Sequence, residues 1–274
     1  DEVIRWGASA PLLPKRIKKM AATVSSITRA GAYEPFDLQV ARGQVYGHST
    51  VNIFGANGSF TTTGTYLPVW ENLTAYTYPV SAATMHLAST VNTGADKGGS
   101  SVTITGLDEN YDQITETLTL NGTTAVVTTK LFLRINGMQV ASGVPTGTIT
   151  LKDLTDTTVY AQITAGNGRS QMSIFTVPAG YTFYLMRTAG YTSLNGFTAD
   201  YAVYRDYAVS STGVVTQTKQ NPFTNNFISL RVMGRPYAEK TDIQYQVKGS
   251  AAQFVNITVE GYLIKNDVLT NVTP

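Results

Sequence analysis

The chain has 274 residues, enough for one large β domain or two of ordinary size. Charged residues make up only 14% of it, against about 25% in ordinary soluble chains, and Thr, Ser, Asn, Gly and Tyr take their place. The 42% apolar content supports a real core, the lack of Cys excludes disulfides and thiolate metal sites, and a net charge of +2 argues against nucleic acid as the main partner.

Residues 1–45 differ from the rest. They carry Pro11, Pro14 and Pro35 and the basic cluster Lys15, Arg16, Lys18 and Lys19. The run Lys15 to Ile27 predicts one short helix, because Ile17, Met20, Ala21 and Val24 fit a single apolar stripe. So short a helix is marginal alone in water. The segment therefore reads either as an extended arm that orders against a partner or its own body, or as a mobile tail. The basic cluster reads either as a handle for an acidic partner or nucleic acid, or as a solvated helix face. The start has no secretory apolar region, and Asp1, Glu2 and the prolines fit a transit peptide poorly. Asp as first residue points to a chain that begins upstream or is processed. No apolar run approaches the roughly 20 residues of a membrane span, so no membrane association is expected.

From Val45 onward the period is two. Val51, Ile53 and Phe54 predict a short strand, with a turn at Gly55-Ala56-Asn57-Gly58. Ser101–Thr105 and Gln113–Leu120 alternate around the turn Gly106–Asn110. Asn121-Gly122 is a two-residue hairpin signal, since both residues accept positive φ, and Thr123–Thr129 is read as the returning strand. Leu131–Val140 and Thr148–Leu151 complete a first β domain over residues 46–156.

A second β domain, residues 157–274, shows eight candidate strands: 158–164, 171–177, 181–192, 198–206, 213–219, 226–233, 241–249 and 253–264. Turn chemistry separates them, including Asn221-Pro222 and Gly234-Arg235-Pro236. Short strands at regular spacing predict an all-β fold of two sandwich or jelly-roll-like units, and no recurring helical stripe supports an α/β enzyme.

The sequence is poor in chemistry. A Ser–His–acid triad would need His48, read in a turn, or His86, read in a strand, and no nucleophile elbow is present. Asp108–Asp112 begins like a calcium loop, but Gln113 stands where the sharp-turn Gly belongs and Thr119 where the bidentate Glu belongs. Spacing does not exclude a carboxylate pair for glycoside hydrolysis, and Glu71, Asp200, Asp206 and Glu260 are the candidates. Gly94–Gly99 lacks the frame of a phosphate loop. No enzyme activity, metal or cofactor is expected. The Tyr-rich stretch from Tyr181 and Tyr184 to Tyr207 reads as core, as protein interface or as carbohydrate platform. The site residues singled out for partner binding are Lys15, Arg16, Lys18, Lys19, Tyr181 and Tyr184.

Three stretches together carry a resemblance: Ala41–Ser49 with Ile53-Phe54-Gly55; Val102–Tyr111 with Glu116–Val126; and Ala165-Gly166-Asn167 with Thr176–Leu185. Over roughly residues 41–264 the chain resembles a family of β-rich virion-associated proteins of marine and cyanobacterial tailed phages. That resemblance implies a virion structural role and transfers no catalytic residue. The expectation is a capsid decoration (cement) protein, assembled in the host cytoplasm. It would bridge capsomers as a homotrimer, with the major capsid protein or other virion proteins as partners. A tail, baseplate or fibre-attachment protein is one alternative, and a carbohydrate- or receptor-binding module, with Trp6 and Trp70 as rare large aromatics, is another.

Overall fold

A computed structural model describes residues 34–61, 64–194 and 201–270. It divides into two compact units, Asp1–Tyr46 and Gly47–Pro274. In the first, the helix α1 (Phe36–Ala41) starts after Pro35, whose fixed φ suits a helix entry. Arg42 donates back to the Glu34 carboxylate, and Gln39 Nε2 donates to the Glu34 carbonyl at 2.8 Å. The helix read over 15–27 and its basic cluster, Lys15, Arg16, Lys18 and Lys19, lie outside the described residues.

The second unit is built from antiparallel strands: β1 (His48–Phe60), β2 (Leu67–Pro68), β3 (His86–Ser89), β4 (Lys97–Leu107), β5 (Gln113–Asn121), β6 (Val126–Val127), β7 (Arg134–Ser142), β8 (Ile149–Lys152), β9 (Val159–Ile163), β10 (Ile174–Thr176), β11 (Tyr181–Thr192), β12 (Ala202–Val209), β13 (Val215–Phe223), β14 (Asn226–Tyr237), β15 (Asp242–Gly249) and β16 (Gln253–Lys265). A short helix, α2 (Asn266–Thr270), follows. The all-β sandwich-like class expected from period-two alternation is the observed one.

Strand membership interleaves along the chain. Sheet I has the order β1-β16-β11-β14, and sheet II the order β10-β15-β12-β13 with β2 also on β15. Their inner faces share one core, which includes Phe183, Leu185, Tyr204, Tyr245 and Ile257. Sheet III (β6-β3-β8-β9) and sheet IV (β5-β4-β7) enclose a second core around Leu87, Ile104, Phe132 and Leu151. The chain leaves the first sandwich after β2, builds the second with β3–β9, and returns at β10. Arg134 of β7 clamps Asp242 of β15 with bonds of 2.8 and 2.9 Å, and its guanidinium lies over the rings of Tyr78 and Tyr111. Such a bidentate, largely buried pair joins the two sandwiches with defined geometry.

Three expected turns and one expected hairpin are corrected by the structure. Gly55–Gly58 is no turn: β1 runs through it to Phe60, paired with β16, and only a register shift after Asn57 marks the place. Gly55 is needed there for close approach to Val69 and Ser173, and Asn57 Nδ2 donates to the Trp70 carbonyl at 2.7 Å. Asn121-Gly122 does turn, with Gly122 at φ 65°, but the chain crosses to sheet III, where β6 pairs with β3 and not with β5. Pro222 and Pro236 lie inside β13 and β14. Both strands sit at sheet edges, where a residue without an N–H costs no ladder bond.

A Cβ at position 55 would lie 2.1 Å from the Val69 carbonyl oxygen and 2.6 Å from the Ser173 nitrogen, whereas one at 58 meets nothing within 4 Å. Gly55→Ala is therefore expected to lower stability by about 3 kcal/mol, and Gly58→Ala by under about 0.5 kcal/mol, as read by chemical denaturation.

Candidate interaction surface

β14 inverts the usual arrangement of an edge strand. Along it, Ile228, Leu230 and Val232 alternate with Ser229 and Arg231. Burial alone would turn the apolar set inward. Here the apolar set faces solvent: Ile228 is 64% exposed, Leu230 74%, Val232 100% and the neighbouring Met233 86%. The polar set faces the core, where Arg231 and Arg235 each place a guanidinium nitrogen 3.3 Å from Asp206 Oδ2.

Asp206 explains the inversion. It lies on β12 between Tyr204 and Ala208, all three turned into the core between sheets I and II, and it is fully buried. A buried carboxylate needs paired charge and hydrogen bonds. The Tyr204 hydroxyl donates to Oδ1, and the two arginines of β14 supply the charge. Arg235 also donates to Thr218 of β13 and packs over the Tyr237 ring. Burial pushes the Asp206 carboxyl above its ordinary range, opposed by the Tyr204 hydroxyl and the two guanidinium groups. Burial also raises the phenols of Tyr204, Tyr237 and Tyr245. The cluster holds an edge strand in place.

Among the described residues β14 pairs on one side only, with β11. Its ladder is continuous from Asn226 to Leu230 and resumes at Arg235, so residues 231–234 bulge from the sheet. The result is a row of apolar side chains beside unpaired backbone groups, the combination that marks a surface for another chain. Tyr184 lies on the outer face of sheet I, between Pro236 of β14 and Tyr262 of β16. Tyr181, three residues earlier, points the opposite way, packs against the core and takes Lys265 Nζ 6.0 Å from its ring centre. The two tyrosines singled out from the sequence thus sit on opposite faces.

Most of the remaining candidates for chemistry are tied into the fold by hydrogen bonds or ion pairs. His48 opens β1 in sheet I, and His86, in sheet III, lies 3.4 Å from Asp156. Glu71 accepts from the Thr164 and Gln171 amides and Asn167 Nδ2 at 2.8–3.1 Å. Glu260 pairs with Arg187 at 2.9 Å. Asp200 lies outside the described residues. Asp108 Oδ1 accepts the amides of Asn110 and Asp112, closing the turn that resembled a calcium loop. Among the described residues no three of His, Cys, Asp or Glu gather as a metal site, and no helix is long and apolar enough to cross a membrane. Trp70 is buried, and Trp6 lies outside the described residues.

Asp96 shows how the carboxylates work. It is fully buried and accepts from Ser89 Oγ at 2.6 Å, from both the amide and hydroxyl of Thr146, and from the Gly147 amide. Burial alone would raise it, but these bonds outweigh burial and hold it below the usual carboxylate range. Asp153, bonded by Thr155, Thr157 and Thr158, is likewise held down to about 2 against its desolvation.

No family model matches the chain, and no curated protein matches it. Among solved structures, T=1 particles derived from infectious bursal virus align over 83% of this chain and 81% of that one, at 10% identity and a TM-score of 0.17. T=1 particles of a point mutant of the VP2 protein of infectious bursal disease virus align over the same shares at 9% identity and a TM-score of 0.11. Likenesses of this degree carry no argument about function.

Asp206→Ala leaves two partly buried guanidinium groups without a counter-charge and is expected to cost about 3 kcal/mol. Replacing Asp206, Arg231 and Arg235 together by Leu, Met and Met is expected to recover most of that loss, both read from denaturation midpoints. For Asp96 the folded pKa lies below the unfolded one, so its stabilisation is full above the ordinary value of about 3.9 and fades as pH falls through the depressed one. Asp96→Asn should therefore melt well below the parent protein at pH 7, and the gap should narrow below about pH 4.

Proposed function

We propose that the protein is a non-enzymatic structural component of a virion, held in the particle by the β14 edge packing against neighbouring protein. The observation that carries this reading is the exposed row Ile228, Leu230, Val232 and Met233 on an unpaired sheet edge. Fully burying such side chains contributes about 1.5–3 kcal/mol each, a large gain to leave unused on a stable monomer. Association also costs rigid-body freedom, so the row favours an assembly in which many copies engage at once. The charge-poor composition points the same way, as does the resemblance of residues 41–264 to virion-associated phage proteins.

Within that reading the protein is a capsid decoration protein, located in the virion and assembled in the host cytoplasm. Its partners are the major capsid protein and further copies of itself, in a trimer. Copy number in purified particles tests this directly. A ratio to the major capsid protein near one is expected; a few per cent would place the chain in the tail machinery instead, and absence from particles would overturn the virion reading. A double substitution, Leu230→Glu with Val232→Glu, is expected to change unfolding stability by under about 0.5 kcal/mol, because both side chains already face solvent. The same variant should fail to enter particles, as scored by sedimentation of mixed variant and parent protein.

A further inference from the structure

A second feature lies beyond the Asn226 end of β14, where Asn226 pairs with Tyr191 of β11. The β1 bulge at 57–59, the end of β9 and the loop 165–171 enclose a cleft of about 420 Å³, within the range of small-ligand sites. Its composition is specific. Among the described residues of the lining there is one carboxylate, Glu71, and no Lys or Arg. The other polar walls are mainly amides: Asn57, Gln162, Asn167 and Gln171. Asn57 is occupied, donating to the Trp70 carbonyl and accepting from the Ser59 amide. The other three have groups to spare. Asn167 uses Nδ2 on Glu71, Gln162 uses Nε2 on Thr164 at 3.3 Å, and the Gln171 side chain has no partner among the described residues. At the rim stands Phe254, 40% exposed, with its ring 5.9 Å from that of the equally exposed Tyr191.

These groups define a ligand. A lining whose described residues include no cation fits neither phosphate nor sulfate nor a nucleic-acid backbone. Amides that offer donors and acceptors side by side match hydroxyl groups, which need both. An exposed aromatic face beside them matches the apolar face of a ring. We propose that this cleft binds a neutral glycan, with a pyranose ring resting on Phe254 and its hydroxyls bonded by Gln162, Asn167 and Gln171. The carboxylate of Glu71 is held by the Thr164 and Gln171 amides and orients the loop that carries two of the three amides. Binding here needs no virion and belongs to the isolated chain.

The test uses the full chain on an array of neutral hexose and N-acetylhexosamine oligosaccharides with their sulfated counterparts, followed by calorimetry on the best neutral binder. Retention of neutral oligosaccharides is expected, with Phe254→Ala weakening affinity by about tenfold. Gln171→Ala is expected to weaken it by about fivefold with an unchanged melting temperature, since the side chain bonds nothing in the described fold. Should Phe254→Ala fold poorly, Gln171→Ala decides. No retained neutral oligosaccharide, a preference for the sulfated set, or unchanged affinity in Gln171→Ala would each overturn the proposal.

Discussion

A single buried carboxylate governs the open side of the larger sandwich. Asp206 lies in the core between sheets I and II, and ionised it cannot remain there alone. Arg231 and Arg235 answer it from β14, so that strand must present its polar alternation inward. The period of two then leaves no choice for the other face: Ile228, Leu230 and Val232 are driven into solvent. The bulge at 231–234 follows from the same demand, because two arginines four residues apart reach one carboxylate only if the strand shortens between them. An electrostatic requirement inside the fold has become an apolar surface outside it.

Elsewhere the few acids serve as fasteners. Asp96, Glu71, Glu116 and Asp153 each accept several bonds from backbone amides and hydroxyl or amide side chains, and each closes a loop. Thr is the recurrent partner, since its hydroxyl and amide can both reach one carboxylate. A chain with so little charge thereby uses much of it internally. Arg134 and Asp242 extend the pattern to the join between the sandwiches, where a planar fork fixes orientation better than apolar contact would.

Both outward-facing features are products of this economy. The β14 row is apolar because its charges are committed inward, and it suits attachment to other protein. The cleft beside Phe254 is rich in amides, with no cation among its described residues, and it suits an uncharged polar ligand. A virion component that holds to the particle by one edge and meets sugars with another surface would use both, and the two surfaces are separable by substitution.

Much of this was readable in the residues. Alternation located most strands from Ser101 onward, with β11 matched from Tyr181 to Thr192, because a half-buried strand must repeat every two residues. The same local grammar misplaced turns at Gly55–Gly58, at Pro222 and at Gly234–Pro236, where Gly and Pro mark close approach, an edge or a bulge. Pairing was beyond reach: β1 joins β16 across some two hundred residues, and nothing local encodes a partner that distant. The proposed interaction surface was hidden for a sharper reason. Read alone, Ile228, Leu230 and Val232 are the inward face of an ordinary strand, and only the buried carboxylate on β12, brought opposite by the tertiary fold, reverses them.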